Sequence, residues 1–514
     1  MNHRQPYLTK SRYIDGLHCE KKLWLGWHEP LPYEEPKPFS PQDVGTRVGK
    51  DAHELFPGGI EVTEKPWEHK EAVQKTQQLM ADQSVPAIFE AAFEFNGIRV
   101  RVDILERMSD GGWGLREVKS VSAPNAEKYH YHDVAIQLHV LKGCDVRVTS
   151  VELVHVNKGY VRGEGEIGWS EFFSRTDVAT EAEDLLPFID DKVADLYVVL
   201  NLSAAPESVV SKSHCLKPHA CPFWEQCTAD KPEDWVELLP NFNAKRSTVL
   251  RLNGIESIRD VPSDFKLRDK HRNIQRSVQT AREIFSEDLS DALAPLEAPA
   301  FYLDFETFSP VEPIYPETSP RQRIPFQWSI HYEMTTSLAH EDGNEGLEHF
   351  EFLADGSEDP RRELAESMLD VLRDTDYPII VYNQSFELGV IEDLAVLFPD
   401  ITVELRSLKD RVQDLLPIVR DHLTHPALFT KSALKSSTYS IKNVLPVLAP
   451  DLDYVDLEGV QDGGDATTKY EALVRREITG SDAEQLRSQL LRYCELDTYA
   501  MVRVRHALLD RAST

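Results

Sequence analysis

The sequence predicts an α/β fold in two successive units, 1–230 and 297–514, joined by a helical stretch at 231–296. Three observations carry this. In IRVRVDILERM, Ile98, Val100, Val102 and Ile104 alternate with polar residues, the period of a half-buried strand, and WGLREVKS follows through the turn SDGG as its hairpin partner. From Ala298 onward strand candidates come first and then alternate with helices, the order of a mixed sheet flanked by helices. The sequence between the two is charged and strand-poor.

Taken in chain order, VGTRVGKDAHELF predicts a helix carrying His53, and the hairpin follows. NAEKYHYHDVAIQLHVLKG is helical by length and by the spacing of Val134, Leu138 and Leu141. SVELVHVN reads as a strand, and a long helix is expected from about Ser170 to Leu200. Within 231–296, LRLNGIESIRDVPSDFKL has a helix–Gly–helix rhythm. It reads as a DNA-gripping hairpin or, more simply, as a linker bundle. Three strands are expected at AFYLDFETF, PFQWSIHYE and LEHFEFL, then a helix at RRELAESMLDVL and a buried strand at PIIVYN. A helix through Phe386 to Leu397 and a late amphipathic run from Ser481 complete the reading.

At 514 residues the chain has room for two to four domains, and its 41% apolar content is that of an ordinary soluble protein. No apolar stretch is long enough to span a bilayer, and MNHRQPYLTKSRYIDG lacks the core of a signal peptide, so a cytoplasmic protein without a membrane partner is expected. The formal charge of −31 opposes broad phosphate binding. It leaves room for a local basic groove and for bound cations.

Two groups of carboxylates are placed for cation binding. Glu117 and Lys119 are i and i+2 on a strand and share a face, with Asp103 one strand upstream. Asp304 and Glu306 repeat that spacing in FYLDFETF. Glu387 follows in Asn383-x-x-x-Glu387, and Tyr493 and Asp497 share a helix face at i and i+4. Carboxylates in apolar strands are costly unless paired, and a divalent cation such as Mg²⁺ or Mn²⁺ pairs them. Cys144 and Cys494 read as small core residues. Cys19, Cys215, Cys221 and Cys227 read as a metal or cluster site, with His214 and His219 as alternative ligands.

The order His53, Asp103, Glu117-x-Lys119 resembles the RecB-like branch of the PD-(D/E)XK nucleases. That resemblance implies a restriction-endonuclease-like fold, His53, Asp103 and Glu117 as metal ligands and Lys119 as a catalytic lysine. The branch carries Gln-x-x-x-Tyr on the next helix; this chain has Gln137 with Leu141 in the tyrosine position. One early cysteine and a late trio resemble the iron–sulfur nucleases of the CRISPR adaptation and AddB types, which implies a [4Fe-4S] clasp. The late gaps are both five residues rather than two and five, which keeps a four-cysteine zinc site as the lesser alternative. The second group resembles the DEDD exonucleases of the RNase H-like (DnaQ-like) fold. Tyr493 marks the tyrosine subclass, Arg492 stands where the histidine subclass has its histidine, and Glu387 stands where most relatives have Asp. RVQDLLPIVR is similar to the helix after that family's second motif.

These resemblances imply a metal-dependent deoxyribonuclease with two hydrolytic sites, one of them a 3′→5′ exonuclease. Its partner would be DNA that is single-stranded or has free ends, with RNA a lesser option. Repair, CRISPR-linked processing and phage defence all suit such an enzyme. Two rivals remain: a one-headed enzyme whose second domain only binds nucleic acid, and a non-enzymatic nucleic-acid scaffold.

Overall fold

The structure is a computed structural model that describes residues 5–123, 129–217, 219–335, 346–431, 437–457, 459–460 and 462–513. The chain is mixed α/β and divides into two compact units, one comprising 1–229 with 311–322 and the other 230–310 with 323–514. No helix among the described residues is long and apolar enough to cross a membrane.

The first unit opens with a short strand β1 (Leu8–Thr9) and the helices α1 (Lys10–His18), α2 (Glu20–His28) and α3 (Pro41–Asp51). Strand β2 (Ile60–Glu61) and helix α4 (His69–Ala81) precede three long strands, β3 (Ala87–Phe95), β4 (Ile98–Arg107) and β5 (Trp113–Lys119). Helix α5 (His130–Gly143) leads to β6 (Val148–Val156), α6 (Trp169–Phe172) and β7 (Phe173–Asp177). Helices α7 (Ala179–Leu185), α8 (Ile189–Leu200), α9 (Lys212–Cys215) and α10 (Trp224–Thr228) follow. The sheet runs β2-β3-β4-β5-β6-β7, with β1 pairing β4. Strands β3, β4 and β5 are antiparallel, and β5 pairs β6 in parallel, a crossover made by α5.

Two sequence expectations change here. His53 lies not on α3 but on the 3-10 turn after it, Ala52–Leu55. The long helix expected over 170–200 is interrupted by β7, because FSRTD pairs antiparallel with β6. Helix α5 is almost wholly buried along its length, as a crossover between sheet and outer helices must be; residues 125–128 of the helix expected there lie outside the described residues.

The second unit begins with α11 (Ala244–Leu252), α12 (Asp269–Thr280), β8 (Ile284–Phe285) and α13 (Leu289–Leu293). In the helix–Gly–helix stretch, Gly254 turns the chain at φ +72° after α11, a 3-10 turn follows at Ile258–Asp260, Trp235 bridges Ser257, and the next α-helix starts at Asp269. The core sheet has β9 (Ala300–Phe308), β10 (Ile324–Glu333), β11 (Leu347–Leu353), β12 (Ile379–Val381) and β13 (Val412–Asp414). Its order is β11-β10-β9-β12-β13, antiparallel on one side of β9 and parallel on the other. Around it lie α14 (Arg361–Leu372), α15 (Gln384–Leu397), α16 (Thr402–Lys409) and α17 (Leu415–His422), then β14 (Leu423–Thr424), which pairs β8. Helices α18 (Ile441–Leu448), α19 (Gly463–Val474) and the 32-residue α20 (Ser481–Ala512) close the unit.

One face of this sheet packs Leu303, Phe305, Trp328 and Ile330 against α14 and α15. The polar residues Tyr302, Asp304 and Glu306 alternate with them along β9 and therefore face the other way, beneath α20. There Gln327 donates to the Leu490 carbonyl at 2.9 Å and Ser329 bonds Thr498 at 2.8 Å. Arg505 and Glu333 form a buried pair at 2.9 Å, to which Tyr302 also donates at 2.5 Å. Removing either member of such a pair strands the other charge, so the pair locks the rotation of α20 on the sheet.

Candidate active sites

In the first unit Asp103 on β4 accepts a hydrogen bond from the Val118 amide at 2.8 Å, which ties its carboxylate to the strand that carries Glu117 and Lys119. Glu117 is fully buried. It receives Gln137 Nε2 at 2.6 Å and Lys119 Nζ at 2.7 Å, so the sequence-predicted Asp103, Glu117, Lys119 and Gln137 come together. Two further residues stand among them. Asp133, one turn before Gln137 on α5, pairs with Lys119, and Lys10 at the start of α1 reaches Glu117 at 2.9 and 3.1 Å. Burial pushes the Glu117 carboxyl up, but Lys10 and Lys119 outweigh it and hold it low. Burial and the neighbouring Glu117 push Asp103 the other way. Glu90 on β3 joins this field with a raised pKa caused by burial, and it adopts a left-handed φ of +57° between the Phe89–Ile104 and Ala91–Val102 pairs. A non-glycine residue held there is strained, a feature that collects at functional sites.

His53 stacks face to face on Phe89, with centroids 3.7 Å apart and planes 3° apart. Burial lowers its pKa, keeping the ring neutral as a metal ligand requires.

The four cysteines converge although about two hundred residues separate the first from the rest. Cys19, Cys215, Cys221 and Cys227 line one small pocket with Leu25, Val209, Phe223 and Trp224. Cys19 caps the end of α1, and the Cys221 amide donates to the Cys215 carbonyl at 2.7 Å. Burial raises the Cys215 thiol, and the other three thiols add to that. His214 stacks on His18 at 4.8 Å, and Pro218 lies outside the described residues. Of the other two cysteines, Cys144 is only half-buried and donates to the Glu94 carbonyl, whereas Cys494 is fully buried but donates to Asp304 at 3.7 Å. Cys494 is thus a core residue, as read, and it also borders the second site.

In the second unit Asp304, Glu306 and Asp497 each offer an oxygen within 4.8 Å of the others, a geometry that no other trio of His, Cys, Asp or Glu matches among the described residues. Burial pushes all three carboxyls above the usual range; Asp497 adds to this for Asp304 and Glu306. Glu387 on α15 is pushed to about 8 by burial and then by Asp414, and its Oε2 is buried without a hydrogen-bond partner. The turn that aims it is strained. Asn383 has φ +93°, and Asp414 accepts from the Asn383 and Gln384 amides, both at 3.0 Å, thereby capping α15. Tyr493 hydrogen-bonds Asp497, its phenol kept protonated by burial and by Asp497.

Residues that the motif reading did not name complete this cluster. Tyr454 donates to Asp497 at 2.5 Å, and Lys442 lies 4.7 Å from the Tyr493 ring centroid and 5.1 Å from that of Tyr454. Asp462 adds negative charge near Glu306. No periodicity marks residues delivered from separate loops and helices. Asp133, by contrast, was findable, because it shares a helix face with Gln137 at i and i+4.

A family profile described as a domain of unknown function (DUF2779) matches residues 301–433, which takes in Asp304, Glu306 and Glu387 and stops before Tyr493 and Asp497. No curated protein matches the sequence.

Proposed function

We propose that the protein is a metal-dependent DNA nuclease with two hydrolytic sites, the second a 3′→5′ exonuclease. The convergence of Asp304, Glu306 and Asp497 from β9 and α20 under a protonated Tyr493 carries this reading. The donor set fits hard divalent cations: it is all oxygen, its like charges are crowded, and the buried Glu387 Oε2 is unpartnered. In the first unit the neighbouring carboxylates of Asp103 and Glu117 suit the same kind of cation, and the buried Gln137 Oε1 is likewise unpartnered. Bound Mg²⁺ or Mn²⁺ would supply a nucleophilic water at neutral pH and neutralise charge on the phosphoryl oxygens.

The chain's own groups supply the rest. Tyr493 and Tyr454 hold Asp497 by hydrogen bonds, and Tyr493 would orient the attacking water. Lys442 adds positive charge beside both rings, and Lys119 stands beside Glu117 for the scissile phosphate. The β11-β10-β9-β12-β13 order supports the RNase H-like reading, and the run α4-β3-β4-β5-α5-β6 supports the PD-(D/E)XK one. With Mn²⁺ the parent should degrade single-stranded and free-ended DNA, and the doubly disabled Lys119→Ala/Asp304→Asn protein should cut none. Residual cleavage by a folded double variant equal to the parent's would place the chemistry elsewhere.

Polarity rests on Tyr493. In a Lys119→Ala background, Tyr493→Phe should retain metal but lose on the order of a hundredfold in rate on 3′-labelled single strands. A blocked 3′ end should stop the parent; equal rates for Phe and Tyr, or indifference to the block, would refute the assignment.

For the cysteines, the convergence of Cys19, Cys215, Cys221 and Cys227 on one pocket from distant segments supports a [4Fe-4S] clasp, with a four-cysteine zinc site as the alternative. Protein purified without oxygen should be brown, contain iron and sulfide, and bleach when any one of the four is replaced. A colourless protein holding one zinc would mean the smaller site.

A further inference from the structure

We infer that Lys10 is a built-in counter-cation of the first carboxylate site: its ammonium holds the place of the divalent ion and must withdraw for the ion to load. This rests on the metal-site reading of Asp103 and Glu117. The Lys10 Nζ lies 2.9 and 3.1 Å from the two Glu117 oxygens, 3.5 Å from Asp103 Oδ1 and 4.0 Å from Asp133 Oδ1. It therefore sits between Asp103 and Glu117, the two carboxylates that a shared cation would bridge. Lys119 does not duplicate it, because that ammonium is held to one side by Glu117 and Asp133.

Backbone placement explains how a residue so early in the chain reaches this site. Strand β1 pairs β4 in parallel, Leu8 with Ile98 and Thr9 with Arg99, and Thr9 then caps α1 by accepting from the Arg12 amide at 3.2 Å. The chain thus turns from sheet to helix at Lys10, beside the strand that bears Asp103. At its other end α1 runs into Cys19, so the cysteine pocket fixes the far end of the same helix. A second observation points to a ligand beyond the lysine. Gln137 is fully buried and donates to Glu117 through Nε2, while its Oε1 has no hydrogen-bond partner. A lysine that only closed an ion pair would leave that oxygen's cost unexplained. An incoming hydrated cation offers it a donor, with Lys10 displaced toward the phosphate that follows.

Two consequences separate this role from a structural one. Without metal, a neutral side chain at position 10 leaves buried Glu117 and Asp103 short of one positive charge, which destabilises the fold. With metal, the same variant is relieved of a competitor and binds more tightly. An ordinary structural ion pair would lower stability in both states.

The test is Mn²⁺ binding by electron paramagnetic resonance and calorimetry, in full-length protein carrying Asp304→Asn to silence the second site. Lys10→Met, with Lys10→Arg as the charge-retaining control and Glu117→Gln as the site control, is compared with Lys10. Lys10→Met should tighten the Glu117-dependent Mn²⁺ dissociation constant at least about tenfold, the scale of removing one competing charge from a desolvated site. Its melting temperature should fall in EDTA and recover in Mn²⁺, while Lys10→Arg should show no tightening. Glu117-dependent binding that is unchanged or weaker in Lys10→Met would overturn the inference and leave the metal site standing. No Glu117-dependent Mn²⁺ in either protein would overturn both. Should Lys10→Met fail to fold in EDTA, Lys10→Gln refolded with Mn²⁺ gives the same comparison.

Discussion

Replacing Asp304 with asparagine is expected to abolish metal binding at the second site and cut exonucleolytic turnover by at least about a thousandfold, while making the metal-free protein more stable. Asp304 faces Asp497, Glu306 and Glu387, and burial leaves those charges poorly screened. Asparagine keeps the shape but removes the anion that a hard cation requires. On the nuclease reading, losing a carboxylate that would hold the cation would remove the charge stabilisation that such sites supply to phosphoryl chemistry, so the effect should exceed that of losing one hydrogen-bond donor.

The stability gain has a defined pH window. The folded carboxyls are raised from ordinary values of 3.8 and 4.5, Glu387 to about 8. In the folded state they keep protons that the unfolded chain has already released. Stability of the metal-free protein therefore falls as pH rises from about 4 through neutrality. Asp304→Asn should flatten that fall, and Mn²⁺ should counter it more in the parent than in the variant, which keeps only the first site. Melting curves from pH 4 to 9, in EDTA and in Mn²⁺, check both. A steeper fall in the variant, or equal Mn²⁺ stabilisation in the two proteins, would contradict the assignment.

Lys119→Ala should remove cleavage by the first site, by on the order of a hundred- to a thousandfold, and leave 3′→5′ digestion by the second untouched. Lys119 pairs with Glu117 and Asp133, and burial, which disfavours its charge, is outweighed by those two carboxylates. In the metal-free protein it is therefore held as a positive charge between two carboxylates. The measurement is single-turnover cutting of DNA with both ends blocked, in an Asp304→Asn background. Loss of all digestion in Lys119→Ala alone, with the fold intact by circular dichroism, would mean that the second unit is silent on that DNA. Undiminished cutting in the double variant would clear Lys119 of any part in the chemistry.

Local pattern was enough for the strands that carry the candidate residues. The alternation around Asp103 and in FYLDFETF comes from one apolar face and one polar face, a property of five to ten consecutive residues. It was not enough for FSRTD or VQD, five and three residues long, which become strands only because β6 and β12 offer an edge to pair with. Their own composition does not distinguish them from the helices beside them. The same limit applied to His53, where the helix stops two residues early and a 3-10 turn sets the ring on Phe89.

What the sequence by itself determined is the placing of charged pairs at i and i+2 on two apolar strands, Glu117 with Lys119 and Asp304 with Glu306, because side-chain alternation leaves them no other common face. It also determined that four cysteines stand apart from the rest by number and spacing. Only the tertiary structure decided who joins them. Lys10, Tyr454 and Lys442 come from segments with no periodic relation to Glu117 or Asp497 and meet them through sheet pairing and helix packing. The segment 311–322 shows the limit most plainly. It lies in sequence between β9 and β10 of the second unit, yet belongs to the first: Val311 enters the cluster of Val48, Phe56 and Val118, and Arg321 donates to the Ser120 carbonyl, next to Lys119, at 2.7 Å. Burial and backbone hydrogen bonds are satisfied by whichever surface is at hand in three dimensions, and order along the chain places no constraint on which surface that is.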